Sequence, residues 1–245
     1  MSKRTGSAGN GATPKTAVVA QESSSYNKQK DLLSSTKGHF SLLRVLHMAD
    51  YITELNGFCG IMSIFSSLRY CLGDPAEKTN LYLALAFLPF GLFFDFMDGR
   101  VARWRKKSSM MGQELDSLAD LISFGLAPAC VAFSLGMRTA ADHVLLAAFV
   151  LCGLTRLARF NVTAASGDIP KDASGKASYF EGTPIPTTLG LDALMAYWVS
   201  QGWVLDQVPL GVWFEGTALE VHPVVALFVV HGCLMCSKTL HVPKP

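Results

Sequence analysis

Long apolar stretches separated by short polar segments dominate the chain from about residue 50 to its end. A helix needs roughly 20 apolar residues to cross the hydrocarbon core of a bilayer, and six stretches approach that length. They cover residues 50–71, 80–99, 117–137, 142–162, 184–203 and 219–237. The pattern predicts an all-α, polytopic membrane protein in which six transmembrane helices form one integral domain, 50–245.

The residues before the first apolar stretch have a different composition. Residues 1–30 are rich in Ser, Gly, Ala, Thr and Lys and contain almost no large apolar side chains, so they cannot bury enough surface to fold. We expect a disordered tail there. In 31–49, leucines and Phe40 mix with Lys37, His39 and Arg44, which favours an amphipathic juxtamembrane helix lying on the membrane. An ordinary linker is the alternative.

Composition and charge agree with a membrane location. Half of the residues are hydrophobic and 16% are charged, whereas soluble domains carry about 25% charged residues. Eighteen of the 21 Lys and Arg residues fall on one side of the predicted topology, and the other side holds only Arg69, Lys78 and Arg138. Because basic residues concentrate in cytoplasmic loops, both termini and the loop after the second stretch are predicted to be cytoplasmic.

Four carboxylates lie at the predicted cytoplasmic ends of the second and third stretches. Asp95 and Asp98 are three residues apart, and Asp116 and Asp120 are four apart, so each pair shares one face of its helix. Ionisable residues in membrane segments are costly and usually functional. Four converging carboxylates need protons or cations to neutralise them, and oxygen ligands favour Mg²⁺ or Mn²⁺. Two such ions would form a familiar clamp for phosphoryl displacement.

Small and basic residues interleave with these carboxylates. Gly99, Ala102 and Gly112 remove bulk beside them, which would let a phosphate-bearing ligand approach, and Arg103 offers a fork-shaped phosphate partner. One alternative is a set of surface carboxylates neutralised by nearby Arg and Lys. Another is a divalent-cation transporter, which would need a polar path through both halves of the membrane. The first, fifth and sixth stretches offer few charges for such a path, mainly Glu54 and Asp192.

The residues from Asp95 to Asp120 read D-x2-D-G-x2-A-R-x8-G-x3-D-x3-D. This resembles the signature of the CDP-alcohol phosphatidyltransferases at every fixed position. The resemblance implies a six-helix membrane protein, commonly a homodimer, that uses Mg²⁺ or Mn²⁺ to move a phosphatidyl group from a CDP-linked lipid to an alcohol, releasing CMP. It implies that Asp95, Asp98 and Asp116 are metal ligands and that Asp120 shares the metal site and acts as the base. The implied CDP-lipid site comprises Asn56, Gly99, Ala102, Arg103 and Gly112.

Further stretches, including L-C-G-L-T-R-L-A-R-F-N-V-T at 151–163 and Y-F-E-G-T-P-I-P-T-T at 179–188, resemble the fungal branch of that family that uses serine. The likeness covers about 38–245. It implies CDP-diacylglycerol and L-serine as substrates, and an endoplasmic reticulum membrane is the expected location. Inositol or glycerol 3-phosphate is the alternative acceptor. Serine recognition is implied for Arg156, Arg159, Phe160 and Asn161.

The spacing of the two arginines suits a serine site. Arg156 and Arg159 are three residues apart, so both point to one side of the fourth stretch, at the same end as the carboxylates. Paired guanidinium groups match a carboxylate ligand. Arginines that snorkel at a membrane edge are the alternative. Lys176 and Glu181, from the following loop, are weaker candidates for the same site.

Overall fold

The structure is a computed structural model that describes residues 48–105, 110–166, 179–217 and 219–243. The predicted tail, 1–30, lies outside these residues, and so does nearly all of the predicted juxtamembrane helix, 31–49. Side-chain positions are also not described for Ala102 and Arg103, although both belong to a described helix.

Seven α-helices make up most of the described part of the chain. They are α1 (Met48–Leu72), α2 (Thr79–Arg105), α3 (Met110–Asp120), α4 (Ala127–Leu135), α5 (Ala140–Ser166), α6 (Leu189–Gln201) and α7 (Ala226–Cys236). A π-helical segment, Leu121–Leu126, joins α3 to α4, so these three elements form one continuous rod. Short 3-10 turns, Ile185–Thr188 and Pro223–Val225, lead into α6 and α7, and a third, Leu205–Gln207, lies between these helices.

A two-stranded ribbon is the departure from the predicted all-α architecture in the described residues. β1 (Tyr179–Glu181) pairs antiparallel with β2 (His241–Pro243), and Phe180 lies opposite Val242. The segment after β1 is also fixed to the end of α7, because the Thr183 N–H donates to the Leu234 carbonyl over 3.3 Å. Gly182 is required there: its φ is +76°, and a Cβ would lie 2.4 Å from the Met235 carbonyl oxygen.

Within the described residues, three helical rods are long and apolar enough to cross a membrane: Thr79–Val101, Met111–Leu135 and Ala140–Thr163. They overlap the second, third and fourth predicted stretches, with boundaries shifted by up to several residues. The described helices and their apolar composition confirm the prediction of an α-helical integral membrane protein.

Helix α1 is polar on the inside and apolar on the outside. Its buried side chains include Thr53, Asn56 and Ser63, whereas Phe58 and Phe65 are 55% and 54% exposed. This arrangement suits lipid, since a bilayer accepts apolar side chains while buried polar groups must find partners within the protein. The Ser63 hydroxyl does so by donating to the Ala84 carbonyl of α2 over 2.8 Å.

Small residues let α1 approach the π-helical segment closely. A Cβ on Gly60 would lie 2.6 Å from Ser123 Oγ and 2.8 Å from Ser123 Cα, so no larger residue fits without movement. Small residues at helix contacts are characteristic of membrane bundles, where backbone approach replaces the hydrophobic driving force. Together with α2, this contact holds α1 beside the carboxylate-bearing ends of α2 and α3.

The apolar core lies between the other helices. Its fully buried side chains come from α2, the π-helical segment, α4, α5, the turn before α6, α6 and α7; they include Leu81, Leu88, Phe124, Phe149, Ile185 and Phe228. Ile185 packs closely against Gly153 of α5, since a Cβ added to Gly153 would lie 3.2 Å from Ile185 Cδ1. This close contact fixes the entry of α6. Pro184 directly precedes this 3-10 turn and Pro186 belongs to it, and both suit the start of a helix.

Candidate active site

The structure brings three of the four predicted metal-site carboxylates together. Asp95 and Asp98 project from α2 and Asp116 from α3, and one oxygen atom of each lies within 4.8 Å of the others. This confirms that the two helices converge through their acidic faces. Asp120, one turn further along α3, does not belong to this group of three, which we call the carboxylate triad.

The triad has no neutralising partner in the described structure. Asp98 is 6% exposed, and the buried Oδ1 of Asp116 has no hydrogen-bond partner among the described residues. Among the side chains that the structure describes, no lysine or arginine forms an ion pair with these carboxylates. Gathering carboxylates away from water is unfavourable unless a cation or protons offset the charge. Because a buried oxygen lacks a donor and all the ligands are hard oxygens, the triad fits a divalent cation.

Two polar residues of α1 hold carboxylates of the neighbouring helices. The Thr53 hydroxyl donates to Asp98 Oδ2 over 2.5 Å, and the Asn56 amide donates to Asp120 Oδ1 over 3.1 Å. The backbone carbonyl of Asn56 accepts a bond of 2.8 Å from the Ser123 hydroxyl of the π-helical segment. Asn56, expected beside a nucleotide, therefore lies directly against Asp120.

Sequence reasoning missed two residues at this site, Asp50 and Thr53. Asp50 is 6% exposed and interacts electrostatically with Asp98. The available signal was spacing: positions 50, 53 and 56 are polar at steps of three within the first apolar stretch, so they share one helical face. Treating α1 as an amphipathic helix with its polar face directed inward would have identified both Asp50 and Thr53.

Gly99, one of the residues predicted to leave room for a ligand, borders open space. A Cβ added to Gly99 would meet no atom of the described residues within 4 Å, although Asp98 beside it is buried. Gly112 lies near the start of α3 and is half-buried, and the backbone places Ala102 and Arg103 in the last turns of α2. The predicted CDP-lipid residues thus flank the triad along both helices.

Helix α5 brings Arg156 to the same end of the bundle. Arg156 is 9% exposed, its guanidinium lies 5.5 Å from the centre of the Phe160 ring, and it interacts electrostatically with Asp120. Arg159 instead donates to the Cys236 carbonyl at the end of α7 over 3.1 Å. The two arginines therefore differ in their described contacts: Arg156 interacts with Phe160 and Asp120, and Arg159 with the end of α7.

Asn161 links α5 to α3. Its Oδ1 accepts a hydrogen bond of 3.0 Å from the Ser117 hydroxyl, and its Nδ2 donates to Glu114 over 3.2 Å. Ser117 directly follows Asp116, so this link holds the two helices together beside the triad. Of the weaker candidates, Lys176 lies outside the described residues, and Glu181 is described only through its backbone in β1.

A family profile described as CDP-alcohol phosphatidyltransferase matches residues 46–229. This range includes the triad, Asp120 and helices α1 to α6. The chain belongs to the CDP-alcohol phosphatidyltransferase family. The match confirms the resemblance carried by the sequence signature.

Several curated relatives of this family member share a name, CDP-diacylglycerol–serine O-phosphatidyltransferase. The chain is 55% identical to that of Saccharomyces cerevisiae over 214 residues, which is 86% of this chain and 76% of the relative. It is 36% identical to that of Bacillus subtilis over 55% of this chain and 67% of the relative. With the protein of Methanocaldococcus jannaschii the identity is 32%, over 60% of this chain and 59% of the relative.

Proposed function

We propose that this family member transfers the phosphatidyl group of CDP-diacylglycerol to the hydroxyl of L-serine, giving phosphatidylserine and CMP. The observation that carries the proposal is the carboxylate triad, formed by the family signature at a buried end of two membrane helices. The serine specificity rests on the likeness to the yeast relative of that name and on the buried Arg156 beside Asp120.

Asp95, Asp98 and Asp116 would hold Mg²⁺ or Mn²⁺, with Asp120 completing a site for two ions. When bound, these ions would offset the charge that develops on the pyrophosphate oxygens, which is where catalysis of phosphoryl transfer mainly acts. The protein supplies the positions of the carboxylates: two helices present them, and α1 fixes two of them from the side.

Asp120 would act as the general base. It is 8% exposed, and the Asn56 amide occupies its Oδ1, which leaves the second oxygen to accept the serine hydroxyl proton. The serine oxygen would then form a bond to the lipid-side phosphorus as the bond to the CMP phosphate breaks. Direct displacement accounts for both products, and no covalent lipid–protein intermediate is needed.

The substrates would approach the triad from two sides. Gly99, Ala102, Arg103, Gly112 and Asn56 would line the CDP-lipid site, and the open space beside Gly99 supports this assignment. Serine would bind near α5 through Arg156, Arg159, Phe160 and Asn161. Of these, Arg156 is best placed for the serine carboxylate, since its guanidinium is buried, lies 5.5 Å from the centre of the Phe160 ring and interacts electrostatically with Asp120.

We further propose that six helical rods cross the membrane, with both termini and the site on the cytoplasmic face of the endoplasmic reticulum. The outward apolar face of α1 supports a first transmembrane segment, and the turns before α6 and α7 extend these shorter helices. The proposed organisation is a disordered tail, 1–30, a juxtamembrane helix, 31–49, and a catalytic membrane domain, 50–245, that forms a homodimer.

The acceptor assay tests this proposal directly. Purified protein in nanodiscs receives CDP-diacylglycerol and Mn²⁺ with radiolabelled serine, inositol or glycerol 3-phosphate in separate reactions. We expect label in lipid only with serine, and none from a matched Asp116→Asn variant. Incorporation of inositol or glycerol 3-phosphate instead would overturn the serine assignment, whereas no incorporation from any acceptor would overturn the proposed activity.

A further inference from the structure

Thr53 makes the shortest contact to the carboxylate triad from outside the two acidic helices. Its hydroxyl has a single proton and two acceptors within reach: Asp98 Oδ2 at 2.5 Å and, in its own helix, the Ala49 carbonyl at 3.2 Å. Hydrogen bonds from a hydroxyl to a carboxylate are shorter and about twice as strong as neutral ones. The proton therefore belongs in the bond to Asp98, and the contact to Ala49 is secondary.

Water does not compete for this bond. Thr53 is 4% exposed and Asp98 is 6% exposed, so a carboxylate oxygen deprived of the hydroxyl would lack a ready replacement. The backbone N–H of Gly99 also bonds to Asp98, but within the described residues Thr53 is the only side chain that donates to it. Among the described residues, the buried Oδ1 of Asp116 has no hydrogen-bond partner.

We propose that Thr53 is a positioning residue for the metal site, which holds the Asp98 carboxylate in the orientation that meets Asp95 and Asp116. This inference rests on the proposed metal site and extends it to a helix that carries no part of the sequence signature. Groups that hydrogen-bond to metal ligands fix their orientation, and their loss typically weakens metal affinity about 10–100-fold. The proposal makes α1 a structural part of the metal site.

The test compares three variants by Mn²⁺ binding alone, measured from the loss of the free Mn²⁺ signal in electron paramagnetic resonance. Thr53→Val keeps the branched shape and removes the donor, and Thr53→Ser keeps the donor. Thr155→Val is the matched control, because Thr155 makes the same bond to the carbonyl four residues earlier, at 2.8 Å, on an exposed face of α5. We expect Thr53→Val to raise the Mn²⁺ Kd about tenfold or more, with Thr53→Ser and Thr155→Val close to wild type.

A second readout separates positioning from general damage. If Thr53 acts through Asp98, saturating Mn²⁺ should restore most of the turnover number of Thr53→Val, because the site is the same once it is filled. Where Thr53→Val does not fold, Thr53→Ala against Thr53→Ser gives the same comparison of a lost and a retained hydroxyl.

The outcomes distinguish this inference from the function on which it rests. Unchanged Mn²⁺ affinity in Thr53→Val, or equal weakening in Thr53→Ser, overturns the role of Thr53 and leaves the metal site standing. A wild-type protein that binds no Mn²⁺ overturns the metal site and this inference together. The acceptor assay above bears on neither result, since Mn²⁺ binding is measured without serine or lipid.

Discussion

The amide of Asn56 donates a hydrogen bond to the carboxylate of Asp120 over 3.1 Å, joining α1 to the last residue of α3. Asp120 lies outside the triad, and this bond occupies one of its oxygens. Among the described residues, the Oδ1 of Asn56 has no hydrogen-bond partner, and it would lie 3.0 Å from a Cβ on Gly91. The bond from the Asn56 amide fixes one oxygen of Asp120 and leaves the other for its proposed role as the base.

Replacing Asn56 with Leu should lower the turnover number about 10–100-fold, as expected when a hydrogen-bonding partner of a site carboxylate is lost. The KM for CDP-diacylglycerol should rise less than the turnover number falls, because the Asn56 amide that would line the CDP-lipid site also holds Asp120. Steady-state kinetics with each substrate varied in turn checks this. A rise in the lipid KM with an unchanged turnover number would show that Asn56 acts on the lipid alone and not through Asp120.

Asp120→Asn should reduce turnover about 100-fold or more, because a general base commonly contributes that much. The amide is nearly the same size, so CDP-diacylglycerol should still bind, as measured by equilibrium binding in detergent. Near-normal turnover would remove Asp120 as the base. A loss of lipid binding as large as the loss of turnover would point to a role in holding substrate.

Arg156→Lys should raise the KM for serine about tenfold or more, since hydrogen bonds to charged groups contribute about 1.5–3 kcal/mol and lysine cannot reproduce the planar fork. Arg159→Lys is the matched comparison and should have a smaller effect, because Arg159 is directed to the Cys236 carbonyl. The larger rise in Arg159→Lys would reverse the assignment. Equal rises in the serine and lipid KM values would indicate a structural role.

Three glycine-to-alanine variants separate packing from ligand space. Gly60→Ala should destabilise the protein by about 1–3 kcal/mol, as overpacking does, because its Cβ would meet Ser123 at 2.6 Å. Gly190→Ala, in α6, is the control, since no described atom lies within 4 Å of its Cβ.

Gly99→Ala should leave the thermal unfolding midpoint near wild type and raise the KM for CDP-diacylglycerol. A Gly99→Ala protein with unchanged kinetics would show that the open space is not used by the lipid.

The triad could be predicted from the sequence because it depends on residue spacings within each helix, which are local. Spacings of three and four place Asp95 with Asp98 on one helical face, and a short connection between α2 and α3 makes these helices neighbours. The same reasoning could not pair Thr53 with Asp98, because 45 residues separate them and several polar residues share the inner face of α1. Nor could it predict the hydrogen bonds that join Asn161 to Ser117 and Glu114.

The fold departs from prediction where tertiary contacts override local pattern. Leu121–Leu126 is apolar and reads as ordinary α-helix, yet it is π-helical where Ser123 packs against Gly60 and bonds to the Asn56 carbonyl. Such segments are frequent at functional sites. Hydropathy also began the third stretch at 117, whereas the helix begins at Met110. Polar side chains near the carboxylates lower the hydropathy of those turns without ending the helix.

An anomalous difference map from crystals grown with Mn²⁺ tests most directly whether a divalent cation joins the carboxylates of α2 and α3. We expect anomalous density between Asp95, Asp98 and Asp116, and its loss in an Asp98→Asn crystal. A map in which these oxygens bind arginine side chains, with no anomalous density among them at millimolar Mn²⁺, would contradict the proposed metal site.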